Sequence, residues 1–241
     1  MVIHGVGSVL SLIWFVTTLA FRVQDRPIFI LDLKNVSMRL PRPTSFPSPL
    51  ETTTQINQIL DRHLPPSTKV IFFAHSLGSA LTVWILKFSP DRIAGLVLVD
   101  PISLLLQHSD VAYNFIYRTS QAAAESFFEW IAREQGVALS LARNFHWFDN
   151  VFPMVCSEED DEGTVGFFPG KWPVAVFLSE RDCIVPTSRI QRFLGATAKD
   201  GVELHVMPGL DHGGFLFSEY WLDIVLRTLI GMDSSEKSFI E

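Results

Sequence analysis

The sequence predicts an α/β protein: a mostly parallel sheet of about six strands, flanked by helices and interrupted by one helical insertion. Three observations carry that expectation. First, the runs Lys69 to Phe73 (KVIFF), Ile93 to Asp100 (IAGLVLVD) and Pro173 to Leu178 (PVAVFL) lack polar alternation. Strands buried on both faces of a parallel sheet read this way. Second, segments with apolar residues at helical spacing alternate with these runs. Third, the rhythm breaks between Ile102 and Trp172. The expected organisation is a core of residues 1–101 and 173–241, with residues 102–172 as a helical cap. A chain of 241 residues suits one such domain.

Hydrophobic residues make up 48% of the chain, enough for a substantial core. The net charge is -7 and Lys and Arg form no cluster, which argues against nucleic acid as a partner. Cys156 and Cys183 have no metal-ligand spacing and are too few to staple a scaffold. They point to a reducing compartment, the cytoplasm. No metal and no organic cofactor is expected.

Taken in order, Met1 to Ile3 reads as the end of a strand and His4-Gly5-Val6-Gly7 as a tight turn. Ser8 to Arg22 reads as a buried helix. No basic residues precede this apolar run, as they would in a secretory signal. At about fourteen residues it is also short of the eighteen or so that span a bilayer. Membrane association is therefore the less favoured alternative, kept because the helix is so apolar. Pro27 to Leu33 is the next strand, and residues 34–49, with four prolines, form a loop. Leu50 to His63 is a helix with Glu51 in its first turn, stopped by Pro65-Pro66. The strand at Lys69 to Phe73 and the helix at Leu77 to Phe88 follow, then the strand ending at Asp100.

The insertion reads as helices around Val111 to Tyr117, Gln121 to Glu134 and Val137 to Trp147, crowded with aromatic residues. Most of these rings serve as core; some, placed over the strand ends, line an apolar substrate pocket. Ser157 to Gly163 (SEEDDEG) is an acidic solvated loop. Beyond the insertion come the strands Pro173 to Leu178 and Val202 to Val206, and a helix from about Phe215 to Ile230.

Chemistry concentrates at the turn Ala74-His75-Ser76-Leu77-Gly78. A strand that turns into a helix this sharply holds Ser76 in a strained conformation, and Ala74 and Gly78 leave room for it. The pattern is G-x-S-x-G with Ala at the first position. It lifts Ser76 Oγ to the positive end of a helix as a candidate nucleophile. His4-Gly5-Val6-Gly7 supplies a second turn whose Val6 N–H, with that of Leu77, suits a tetrahedral oxyanion. Asp182 follows a strand on a loop closed by Ile184-Val185-Pro186, a good seat for a carboxylate that orients an imidazole. Glu180 is its near rival. Asp100, at another strand end, reads primarily as a strand-terminating residue. His212 lies in the glycine-rich loop Pro208 to Gly214 as the candidate base. The candidate substrate contacts are His4 and His75 beside the nucleophile, and Tyr113 and Phe148 in the cap. Packing is the default role for His75.

These motifs resemble the α/β-hydrolase superfamily over nearly the whole chain. The matching parts are His4 to Gly7, Ala74 to Gly78, Leu96 to Pro101, Arg181 to Pro186 and Gly209 to Gly213. Val36-Ser37-Met38-Arg39 and Asp110 to Phe115 also look like a fungal branch of it. The resemblance implies the order nucleophile Ser76, acid Asp182, base His212. Against the family's usual eight strands, the chain begins at what would be the third. The strand at Pro27 to Leu33 thereby becomes an exposed edge.

The expected activity is hydrolysis of an ester or thioester of a hydrophobic small molecule through an acyl-enzyme. Two alternatives use the same pocket. One is non-hydrolytic chemistry, as in a lyase or cyclase; the other is an inactive, membrane-associated binding protein.

Overall fold

The computed structural model describes residues 1–38, 47–119, 129–153, 155–156, 165–166, 172–197 and 202–235. Six strands form a parallel sheet: β1 (Val2–Ile3), β2 (Ile30–Leu31), β3 (Val70–His75), β4 (Ile93–Val99), β7 (Val174–Ser179) and β8 (Val202–Met207). Their order is β2-β1-β3-β4-β7-β8. The chain steps outward from β1 to β2, then crosses back and proceeds the other way from β3. The order thus reverses between β1 and β3, and ligands of open α/β sheets bind at such a switch point, beyond the carboxyl ends of the strands.

The absence of polar alternation in β3 and β4 has its cause in the two faces of the sheet. Phe72 and Leu98 point into one core, with α2 (Pro49–His63), α3 (Gly78–Phe88) and the helix Thr187–Thr197. Phe73, Val97 and Val99 point into the other, with α1 (Ile13–Arg22) and the helix Glu219–Ser235. Local signals set the helix starts. Ser48 accepts from the Glu51 N–H while the Glu51 carboxylate accepts from the Ser48 N–H, a complete capping box at the start of α2.

Several elements differ from expectation. Ser8 to Arg22 is not one buried helix. It is a 3-10 turn at Val9–Leu12 followed by α1, and its buried residues are Ser8, Leu12, Phe15, Val16 and Leu19. Leu10, Ile13, Trp14 and Phe21 are exposed, because the segment meets the sheet along a single face. The edge strand β2 is two residues long, and Ile30 is exposed. The last helix starts at Glu219, after a 3-10 turn at Gly214–Phe217. No helix among the described residues is long and apolar enough to cross a membrane.

The segment between β4 and β7 is helical in part. An α-helical turn at Asp110–Ala112 passes into a π-helical turn at Tyr113–Tyr117, and Gln135–Leu139 passes likewise into Ser140–Asn144. A 3-10 turn covers Trp147–Asn150. An antiparallel pair, β5 (Val155–Cys156) with β6 (Val165–Gly166), was not anticipated, since two-residue strands carry no readable period. The acidic loop Ser157 to Gly163, and most of the helix expected from Gln121, lie outside the described residues. Specific bonds fasten this segment to the core. Asn114 Nδ2 donates to the Ile184 carbonyl, Arg118 to the Cys183 carbonyl, Ser140 Oγ to the Asn35 carbonyl, and Trp84 Nε1 to Asn150.

Phe15 joins α1 to the sheet: its ring stacks on Phe73 at 4.2 Å and meets Phe215 edge-on at 6.2 Å. Phe15→Ala is expected to lower unfolding free energy by about 3–5 kcal/mol. A denaturant midpoint unchanged from wild type would contradict this account of how α1 is held.

Candidate active site

The site begins with a steric demand at the end of β3. Ser76 adopts φ 52°, a left-handed conformation that non-glycine residues rarely enter. It is held there from both sides. Its N–H donates to the Val99 carbonyl, and its own carbonyl accepts from the Ser79 N–H and Ser79 Oγ, opening α3. Glycines make the approach possible. A Cβ on Gly78 would lie 2.6 Å from the Ile3 carbonyl oxygen, and one on Gly5 would lie 2.9 Å from Ser76 Cβ. The end of β1, the turn after it and the elbow are therefore in backbone contact, which brings Val6 and Leu77 together around Ser76.

His4 secures that turn from behind. It is fully buried; its Nε2 accepts the Leu33 N–H at 2.9 Å, and its Nδ1 faces the Gly5 carbonyl at 2.5 Å. These partners define an Nδ1–H tautomer, and Ser37 Oγ and Asp32 Oδ1 lie 3.5 and 3.6 Å from Nε2.

Two further loops converge on Ser76. His212 Nε2 lies 2.9 Å from Ser76 Oγ, and its Nδ1 lies 2.6 Å from Asp182 Oδ2. A carboxylate only accepts, so Nδ1 carries the proton and Nε2 accepts from the serine hydroxyl. Asp182 is seated by its own loop: Oδ1 accepts the N–H groups of Ile184 at 2.7 Å and Val185 at 2.8 Å. The loops of Asp182 and His212 are laced together. The Arg181 N–H donates to the Leu210 carbonyl, and the Gly209 N–H donates to Glu180. Glu180, the rival acid, thus serves this lacing, away from the imidazole.

Burial alone would push the His212 imidazole down, but the Asp182 carboxylate, with help from Asp100, raises it above its ordinary value. His75 packs beside it, ring centroids 5.5 Å apart. Burial first, then the neighbouring imidazoles of His212 and His4, which disfavour a second positive charge there, hold His75 well below its ordinary value, so it stays neutral. Neither of its ring nitrogens has a hydrogen-bond partner among the described residues.

A narrow cavity opens on Ser76, with about 10 Å³ of free space, room for a group of roughly one water's size. Val6, Leu77 and Ile102 line it from the core, with Ile184 from the acid loop. Val111, Phe115, Leu141 and Trp147 line it from the segment between β4 and β7. The four sequence-derived substrate contacts are not among them. His4 faces backbone, His75 lies behind His212, and Tyr113 and Phe148 are exposed at 58% and 74%. Each exposed ring has a neighbour pointing the other way: Phe115 lies two residues from Tyr113, and Trp147 adjoins Phe148. Aromatic content located the wall; the π-helical and 3-10 turns decide which ring faces in.

Asp100, Asp182 and His212 place one ligand atom each within 4.8 Å of one another, a cluster with the residue types of a cation site. Those atoms are already engaged: His212 with Asp182, and Asp100 with three protein donors.

The sequence matches the model of the alpha/beta hydrolase family over residues 1–227, and the chain belongs to that family. No functionally curated protein matches it significantly. Solved structures of low identity share the fold. The monoacylglycerol lipase of Paleococcus ferrophilus has a TM-score of 0.57 and 15% identity, with 96% of this chain and 93% of that one aligned. A thermophilic esterase of Thermogutta terrifontis gives 0.58 and 14%, over 96% and 89%. The 2-hydroxy-6-oxo-6-phenylhexa-2,4-dienoate hydrolase of a Rhodococcus strain gives 0.60 and 17%, over 95% and 89%.

The contact between Gly78 and β1 is the tightest in the site, and its neighbour is backbone. Gly78→Ala is expected to destabilise the fold by roughly 1–3 kcal/mol. Equilibrium unfolding measures this, and wild-type stability would show that the elbow has slack.

Proposed function

We propose that the protein is a serine hydrolase that cleaves an ester or thioester of an apolar small molecule. One observation carries the reading: the unbroken chain of hydrogen bonds from Ser76 Oγ through His212 to Asp182, at 2.9 and 2.6 Å. It ends in a carboxylate fixed by two backbone N–H groups.

In this reading His212 Nε2 takes the Ser76 proton as Oγ bonds to the substrate carbonyl carbon, and the carbonyl oxygen becomes an oxyanion. The N–H groups of Val6 and Leu77 receive it; both residues line the cavity against Ser76, and neither N–H enters a described turn, loop or cap hydrogen bond. Each donor is worth about 3–4 kcal/mol of barrier. Collapse of the intermediate expels the alcohol or thiol, which takes its proton from His212. Water then gives a proton to His212 and its oxygen to the acyl carbon, releasing the acid and restoring Ser76. Asp182 keeps the imidazole in its reactive tautomer and stabilises the imidazolium. Residues 102–172 act as the cap. Val111, Phe115, Leu141 and Trp147 offer the substrate a purely apolar surface, which favours an uncharged acyl group.

Fluorophosphonate labelling tests the mechanism without knowledge of the substrate. Wild type is expected to react at Ser76. Ser76→Ala should not label, and should lose roughly 10⁴-fold or more of any ester turnover while keeping the wild-type melting temperature. Full activity in that variant would sink the proposal. The pH profile is a second check. His212 must be neutral to accept the proton, and its pKa is raised above 6.5. The rate of labelling is therefore expected to rise with pH through a limb centred above 6.5, and a limb centred below that value would contradict the assignment.

A further inference from the structure

Asp100 is a buried carboxylate outside the Ser76–His212–Asp182 chain, and it is fully enclosed. It stands just past the end of β4 in a left-handed conformation, φ 45°. Aspartate enters that region more readily than most residues. Its N–H continues the sheet by donating to the Phe177 carbonyl. Its side chain is shared between the end of β7 and the loop after β8. Oδ1 accepts the Ser179 N–H at 2.7 Å; Oδ2 accepts Ser179 Oγ at 3.0 Å and the Gly213 N–H at 2.8 Å. Ser179 ends β7, three residues before Asp182, and Gly213 directly follows His212.

We infer that Asp100 is a positioning residue for the reaction: its carboxylate staples the strand that delivers Asp182 to the loop that delivers His212, and presents a second negative charge to the imidazolium. Three protein donors on one carboxylate fix its orientation, so both loops share one reference point. The charge has a direct route to the imidazole, because the ligand atoms of Asp100, Asp182 and His212 all lie within 4.8 Å of one another. The groups facing it are Asp182 from the β7 loop and His212 from the β8 loop. His75, from β3, faces His212 and stays neutral.

Burial, then the neighbouring Asp182, pushes Asp100 up to about 6. Above that pH it is ionised and supports the imidazolium; below it the charge is lost.

The inference rests on the serine-hydrolase reading, and one experiment separates the two. Wild type, Asp100→Asn and Ser179→Ala are compared by fluorophosphonate labelling rate across pH. The His212 ring protons are titrated by NMR in the same proteins without any substrate. Asp100→Asn keeps the shape but removes the charge and turns an amide N–H₂ toward backbone donors. It is expected to slow labelling roughly 10–100-fold and to move the His212 titration to lower pH. Ser179→Ala removes one of the three donors, leaves the backbone intact, and should slow labelling to a lesser degree. It provides the readout if Asp100→Asn does not fold.

A folded Asp100→Asn with wild-type labelling and wild-type His212 titration would overturn the inference, and so would lowered stability alone. If Asp100→Asn does not fold, wild-type behaviour of Ser179→Ala in both readouts would do the same. A folded wild type that does not label would overturn the hydrolase reading instead, while the titration still decides whether Asp100 acts on His212.

Discussion

The closeness of β1 to the elbow is the constraint on which the site depends. Gly78 sits where any side chain would strike the Ile3 carbonyl, and Gly5 sits where one would strike Ser76. Through these two contacts the loop after β1 and the first turn of α3 press against each other, so that Val6 and Leu77 share one cavity wall. The strained φ of Ser76 is held by the same arrangement, with the sheet on one side and the helix start on the other. Strain of this kind costs of order 1–3 kcal/mol. The buried sheet around it, with Phe72, Phe73, Leu96 and Val97 fully enclosed, supplies the stability that sustains it.

Around this fixed point the fold distributes charge unevenly. Two carboxylates and two imidazoles meet with their side chains buried, yet each has a different fate. Asp182 is bound by two amides and the His212 imidazole, Asp100 by donors from the end of β7 and the loop after β8, and His75 by no described polar partner. The result is one imidazole raised and one held neutral, though they lie ring to ring. Carboxylate proximity decides which is which. A single residue type thus takes two opposed electrostatic roles within one site.

Much of this was legible in the sequence, for physical reasons. Strands buried on both faces announce themselves, as Ile93 to Val99 does, and tight turns require the small residues seen at Gly5, Ala74 and Gly78. The convergence of Ser76, Asp182 and His212 was readable because strand ends on one edge of a parallel sheet are neighbours whatever their separation in the chain. What escaped was side-chain direction. His75 adjoins the nucleophile in sequence and His4 opens the turn packed against it, but His4 is engaged by the Leu33 and Gly5 backbone and His75 packs against Phe215. Tyr113 and Phe148 are displaced from the cavity by Phe115 and Trp147, because π-helical and 3-10 turns do not obey the 3.6-residue period. The apolar composition of Ser8 to Arg22 suggested full burial, whereas a helix on an outer face needs only one stripe covered.

The bonds of the acid loop have a consequence in the peptide planes themselves. The plane joining Cys183 to Ile184 offers its carbonyl to Arg118 and its N–H to Asp182. The next plane, from Ile184 to Val185, offers its carbonyl to Asn114 and its N–H to Asp182. Each rigid amide is therefore a two-ended link, one end on the segment between β4 and β7 and the other on the carboxylate. Drawing on the carbonyl sharpens the acidity of the N–H across the same resonance system. The segment between β4 and β7 is in this way tied, through two peptide planes, to the carboxylate of Asp182. Holding this segment in place and orienting the acid are two descriptions of one set of bonds.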